Sequence, residues 1–402
     1  MININDNDNV KELKYDYLFS NKSDRVIHML YKYIMDADKF ASDKVGKILN
    51  YTINKINTIS QIPRPTMYDS YFFPNEIKTY IHENATYSLQ FTFTIKKRAI
   101  NIYFIVFEHV TQECINMLNQ HVHMIYMWLH ILDSFSLKKC SKTLELYIYF
   151  TLFEKKLPDN QLIVLGSEHV NTAYTTGCKA NTEIVLYRKE EWFKVFIHET
   201  FHNFGLDFSD MNLNLVNNHL KEIFNVGIEF NLYESYCETW ARIMNTMIYS
   251  YLNLDTKHKS HYETFKTSFI YNMERECYHS LYQSLKILNF MDLNFKRIVH
   301  KTADNIGICK LLYKEDTSVF SYYIITSLLI NNFLEFLDWC YKNNNILLQF
   351  KKTPGNLDKY IEFIKKSCNN SNIKTNINLL EKKLSKQTDI NPTLRMTSTQ
   401  FT

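Results

Sequence analysis

The sequence is poor in chain breakers. Among 402 residues there are 7 glycines and 6 prolines. Sandwiches and barrels of short strands need turn residues about every 8–12 positions, so this scarcity excludes an all-β architecture and predicts a helix-rich protein. No apolar run reaches the roughly 18 residues of a membrane span; the nearest approach, 319–330, is interrupted by Ser321, Thr326 and Ser327. None of the 8 cysteines forms a CxxC pair. The first residues are polar and acidic, without the apolar stretch of a secretory signal. Free thiols, no signal peptide and an intracellular, reducing setting are therefore expected. Neither sign of charge dominates: 46 basic residues face 42 acidic ones, a net +4. Bulk charge thus gives no support for a nucleic-acid partner.

What is abundant is core material. Hydrophobic residues make up 46% and aromatic residues 15%, enough for a sizeable interior. Residues 1 to about 24 carry no packing pattern. From Asp24 to Ile59 apolar residues recur at three and four, predicting helix. Residues 86–95 and 99–107 alternate around Lys96-Lys97-Arg98 and predict a β-hairpin. A helix is expected over 111–134, a strand over 144–152 and another over 182–188. The segment 170–176 is polar and β-prone. Beyond residue 210 the pattern is helical: 212–224, 233–252, about 258–290, 317–341 and 356–367. After Lys386 no core pattern remains, and a disordered tail is expected. These signals divide the chain into a mainly helical region (1–85), a core (86–255), a helical C-terminal region (256–385) and a tail (386–402).

One run carries chemistry: His198-Glu199-Thr200-Phe201-His202. Residues four apart on a helix share a face, so both imidazoles can reach one metal ion while the Glu199 carboxylate stands beside it. The setting is apt. A strand (182–188) precedes a helix running in from Lys189, and Gly205 stands where a left-handed residue would end it. The alternative is an inert helix that happens to hold two histidines. A second histidine group, His121, His123 and His130, lies on the 111–134 helix among Met124, Met127, Trp128 and Leu129. Core packing is the plainer reading there.

A zinc enzyme needs a third protein ligand and an open position. In the extended HExxHxxG pattern of metzincins that ligand would fall at position 208, which is Phe208; Asp207 and Asp210 are out of register. Farther on, Glu234 and Glu238 stand four apart in Tyr233-Glu-Ser-Tyr-Cys-Glu-Thr-Trp-Ala-Arg242, flanked by aromatic residues. His198-Glu199-x-x-His202 with this downstream ExxxE helix resembles the gluzincins, zinc metallopeptidases whose third ligand is a glutamate on a later helix. The resemblance covers about 70 residues. It implies an α+β, helix-rich zincin-like fold with a small mixed sheet and one Zn2+ held by His198, His202 and Glu234. Glu199 would be the general base of peptide hydrolysis, and Glu238 would orient His198. The reverse assignment, with Glu238 as ligand, stays open, because Glu238-Thr-Trp-Ala241 is similar to the corresponding run of aminopeptidase-type members. Tyr233, Tyr236, Tyr322 and Tyr323 are candidate donors to an oxyanion. Asn171, Thr172, Ala173 and Tyr174 form a candidate edge for pairing a peptide or protein substrate; an ordinary edge strand is the other reading. In composition and in its long helical C-terminal half the whole chain is similar to metallopeptidase-like proteins of giant DNA viruses. The rival to an enzyme is a structural or interaction protein that keeps a zincin fold without turnover.

Overall fold

The computed structural model describes residues 13, 20–45 and 51–401. The weakly patterned start, residues 1–19, lies outside these apart from Leu13. Helix begins at Asn21. Six strands form one mixed sheet: β1 (Tyr51–Lys55), β2 (Tyr87–Ile95), β3 (Arg98–Val106), β4 (Thr143–Thr151), β5 (Ala173–Thr175) and β6 (Asn181–Arg188). Their order is β1-β2-β3-β4-β6-β5. The β3–β4 and β4–β6 pairs are parallel, and the others antiparallel. The protein is thus α+β and helix-rich, as expected. The predicted hairpin is β2–β3, turning at Lys96 in a left-handed conformation.

The helices are α1 (Asn21–Val45), α2 (Asn75–Asn84), α3 (Gln112–Asp133), α4 (Ser167–Val170), α5 (Trp192–Asn203), α6 (Asn214–Ile223), α7 (Leu232–Leu252), α8 (Tyr262–Phe290), α9 (Phe295–Val299), α10 (Ala303–Leu312), α11 (Phe320–Ile330), α12 (Phe333–Asn343), α13 (Pro354–Cys368) and α14 (Ser371–Leu384). α1 buries Val26, Ile27, Leu30, Tyr31 and Ile34, the face its period announces. One hydrophobic cluster takes in residues of α1, the inner sheet face, α5, α7, α8 and the C-terminal helices. The regions named above are therefore stretches of sequence sharing a core.

Four expectations need correction. Residues 51–55 form edge strand β1, not the end of a helix; Tyr-Thr-Ile-Asn-Lys pairs with β2 instead. The single helix expected over 317–341 is bent by 96° between Ile330 and Phe333. Among the described residues no single helix is long and apolar enough to cross a membrane.

The third correction concerns the tail. Residues 393–401 thread into the interior: Leu394, Thr397 and Thr399 are buried. Leu394 N–H donates to the Lys155 carbonyl. Glu276 accepts from the Ser398 N–H at 2.7 Å and from the Thr397 hydroxyl at 3.0 Å. Glu191 accepts from the Thr397 N–H. The segment is held by buried polar bonds rather than by an apolar stripe, so it leaves no hydrophobic period to read.

The fourth concerns the thiols. Cys140 and Cys178 form a disulfide across 38 residues, tying the loop before β4 to the β5–β6 turn. Closing such a loop is worth about 3–4 kcal/mol on a chain-entropy estimate. Titration of denatured protein, without reductant and after rapid blocking, should find six reactive thiols: Cys114, Cys237, Cys277, Cys309, Cys340 and Cys368. Eight would remove the bridge.

Candidate metal centre

α5 carries His198 and His202 on successive turns. Its inner side is fixed by Trp192, Phe196 and Phe201 in the core and by Trp128, whose Nε1–H donates to Thr200 Oγ1 at 2.8 Å. The helix stops at Gly205, with φ +72°. A Cβ there would lie 2.9 Å from Leu137 Cδ1 and 3.1 Å from Cys140 Sγ, so both backbone and space demand glycine. The Leu206 N–H closes the turn on the Phe201 carbonyl at 2.9 Å. This reversal folds Asp207 back onto the helix it follows. Its Oδ2 sits 2.7 Å from His202 Nδ1.

α7 brings the two acids. Glu234 Oε2 lies 3.0 Å from His198 Nε2 and 3.4 Å from His202 Nε2. Glu238 Oε2 lies 3.0 Å from the other nitrogen of the same ring, His198 Nδ1. The two acids thus occupy opposite edges of one imidazole. Lys194, one turn before His198, donates to both Glu238 oxygens at 2.9 and 3.1 Å. Both of these side chains are buried.

Asp207 and Glu238 accept, so each histidine spends its Nδ1–H on a carboxylate. Both Nε2 atoms then present lone pairs, 3.2 Å apart. Together with Glu234 Oε2 they make three lone-pair atoms at 3.0, 3.2 and 3.4 Å from one another. Such a cluster is repulsive unless a positive charge, a metal ion or a proton, stands among them. Ligand atoms at zinc–nitrogen and zinc–oxygen distances on a tetrahedron are about 3.3–3.4 Å apart, so the residues fit zinc. Without a metal ion the same contacts draw a proton onto the His198 ring. Burial lowers the His198 pKa, but the hydrogen bonds to Glu234 and Glu238 outweigh it and hold it up at about 8. Burial raises Glu234, yet His202 and His198 pull it down to about 2. Burial likewise raises Glu238, while Lys194 and then His198 hold it well below the usual carboxylate range.

Glu199 is 8% exposed. Burial raises its carboxyl above the usual range, partly offset by His198 and His202. It lines a cavity of about 30 Å³ with Asn171, Thr172, Ala173, Val195, His198 and Tyr322, room for a water but not for a peptide. Of the four tyrosines, two face this region. The Tyr322 ring is 5.8 Å from His198 and the Tyr233 ring 6.0 Å from His202. Tyr322 rides on a wide π turn, Phe320–Ile325, the kind of irregularity found at functional sites. Tyr236 and Tyr323 are ruled out as oxyanion donors. Their hydroxyls are committed to the carbonyls of Leu348 and Leu394 at 2.9 and 2.6 Å.

β5 is an edge strand, antiparallel to β6. The carbonyl of Thr172 and the N–H of Thr176 bond to β6, so by antiparallel alternation Ala173 and Thr175 turn their main chain outward. Tyr174 does not belong with them. It packs on the opposite sheet face, its hydroxyl donating to the Met67 carbonyl at 2.9 Å. A loop, 313–318, crosses from this edge to α7. Asp316 N–H donates to the Leu165 carbonyl at 2.9 Å. Thr317 reaches Asn171 at 3.4 Å, and Asn231, at the start of α7, reaches Ser318 at 3.0 Å.

Three contributors escaped the sequence reading. Lys194 could have been found, since it stands four residues before His198 on the same face. Asp207 is out of register as a ligand, yet its carboxylate meets His202 Nδ1. Cys237, whose Sγ lies 3.9 Å from His202 Nδ1, gave no signal. The group His121, His123 and His130 does not converge. His123 pairs with Asp38 at 2.8 Å, His121 is buried, and His130 stacks on Phe40. No known family model matches the chain, nor does any curated protein or solved structure.

Proposed function

We propose that the protein is a zinc-dependent peptide hydrolase of the gluzincin kind, built on a zincin-like core. The observation that carries this reading is the convergence of His198 Nε2, His202 Nε2 and Glu234 Oε2, with a carboxylate behind each imidazole. Zinc held there would supply Lewis acidity and a water acidified toward neutrality. The remaining work falls to the chain. Glu199, buried and with its carboxyl raised, takes the proton of the attacking water and passes it to the leaving amine. Tyr322 and Tyr233, whose rings lie beside His198 and His202, supply the donor to the oxygen that gains charge. The outward main chain of Ala173 and Thr175 aligns an extended substrate by strand pairing. Asp207 and Glu238 hold the imidazoles in the tautomer that binds metal.

The small cavity and the loop over it favour one alternative, a zinc-bearing zincin fold that acts as a structural or interaction protein. Glu199 opposes it, since a silent site has no use for a buried carboxylate beside the metal.

The test is elemental analysis. Protein purified without chelator and supplied with zinc should hold one equivalent, and a strong chelator should remove it with a fall in melting temperature. Well under half an equivalent would sink both readings. Zinc without cleavage of any peptide in a diverse mixture would leave the silent one.

A further inference from the structure

Just before α4 and β5 the chain carries an apolar surface that the chemistry above does not use. Leu162, Ile163 and Val164 are consecutive and exposed, Leu162 to 89%. A turn at Asn160 fixes them: its side chain accepts from the Leu162 N–H at 2.8 Å and its carbonyl from the Ile163 N–H at 3.0 Å. The apolar tips are therefore held outward by built structure. Tyr71, 67% exposed, and Phe72 stand on a second loop. Both loops meet the crossing loop at one residue. Tyr71 donates its hydroxyl to Asp316, and Asp316 N–H donates to Leu165, next to Val164. The crossing loop in turn touches Asn171 beside the cavity. Large exposed apolar side chains on two loops tied to one residue favour an interaction site.

The charge around the patch narrows the occupant. A hollow of about 420 Å³ beside Tyr71 is lined by Asp69, Glu76 and Glu168 against one cation, Lys78. An acidic rim repels anionic lipid and nucleic acid and favours lysine and arginine.

We propose that this rim docks the substrate, an extended polypeptide segment with large apolar side chains flanked by lysine or arginine. The proposal rests on the hydrolase reading only for what happens after docking.

The experiment uses the full chain carrying Glu199→Gln, with zinc present, so that binding is read without turnover. Three labelled peptides are compared by fluorescence anisotropy: a Leu/Phe segment flanked by lysine, the same segment flanked by glutamate, and a lysine-flanked segment with serine in place of the apolar residues. The first should bind at least tenfold tighter than the other two. Adding Leu162→Ser with Val164→Ser, both at the surface, should weaken it on the order of tenfold or more. In the otherwise unchanged protein the same pair should raise KM for that peptide and leave kcat alone. Equal binding of the three peptides, or an unchanged Kd and KM in the double variant, would overturn the proposal. So would a dimer that the double variant dissolves without losing peptide affinity, because the patch would then belong to a second copy of the chain. Tight binding of the first peptide without cleavage by the unaltered protein keeps the docking site and sinks hydrolysis. Cleavage with an unchanged KM does the reverse.

Discussion

A Glu199→Gln variant is expected to bind one zinc ion, melt close to the parent and lose turnover by about 10²–10⁴-fold, the usual worth of a general base. The amide matches the carboxylate in size, so the packing beside Val195 and Tyr322 is kept. Zinc should stay because Glu199 stands outside the triangle of lone pairs. What the amide cannot do is accept a proton. The carboxyl of Glu199 is raised by burial, which moves it toward the pH at which a base is most useful. Near-normal turnover on any substrate of the parent would remove Glu199 from the mechanism.

The second large effect separates the two acids of α7. Glu234→Ala should abolish tight zinc binding, because the one carboxylate that reaches both Nε2 atoms is gone. Glu238→Gln should weaken zinc by only about 10–100-fold, as losses behind a ligand do. Glutamine is the substitution to use at this position. Glu238→Ala would leave the Lys194 ammonium buried without its partner, and removing one member of a buried pair costs about 3–5 kcal/mol, so metal loss could not be told from unfolding. Zinc titrations of the two variants, with melting curves beside them, read the difference. If Glu238→Gln loses the metal and Glu234→Ala keeps it, the roles are exchanged.

The parts of this site that could be read from the sequence are the local ones. His198 and His202 share a face because the helix repeat puts them there. Gly205 ends that helix because its backbone must turn left-handed, and β6 feeds it with a run of β-branched and aromatic residues. The ExxxE spacing announced a helix with two acids on one side but did not choose between them. The choice lies in which edge of the His198 ring each acid meets, and that depends on how α7 crosses α5. Asp207, Lys194 and the 313–318 loop join elements distant in sequence through single polar contacts, which leave no period. The Cys140–Cys178 pairing is of the same kind, since nothing in the spacing of 8 scattered cysteines selects two of them. Tyr236 and Tyr323 show the converse error: a tyrosine beside a motif in sequence can spend its hydroxyl on a carbonyl facing away.

Residues 393–401 are translated after every group they hold. While the nascent chain is still shorter than this, Glu191 lacks the Thr397 N–H, Glu276 lacks Thr397 and Ser398, and Lys286 lacks the carbonyls of Asn391 and Thr393. Met396, which lines the cavity beside Glu199 and lies 3.5 Å from Lys194 Nζ, is missing as well. Glu238 sits on the far side of that same Lys194. The wall behind His198 and Glu238 is thus finished by residues that leave the ribosome after every strand and helix described above, so these side chains meet their final partners only once the rest of the fold has been made.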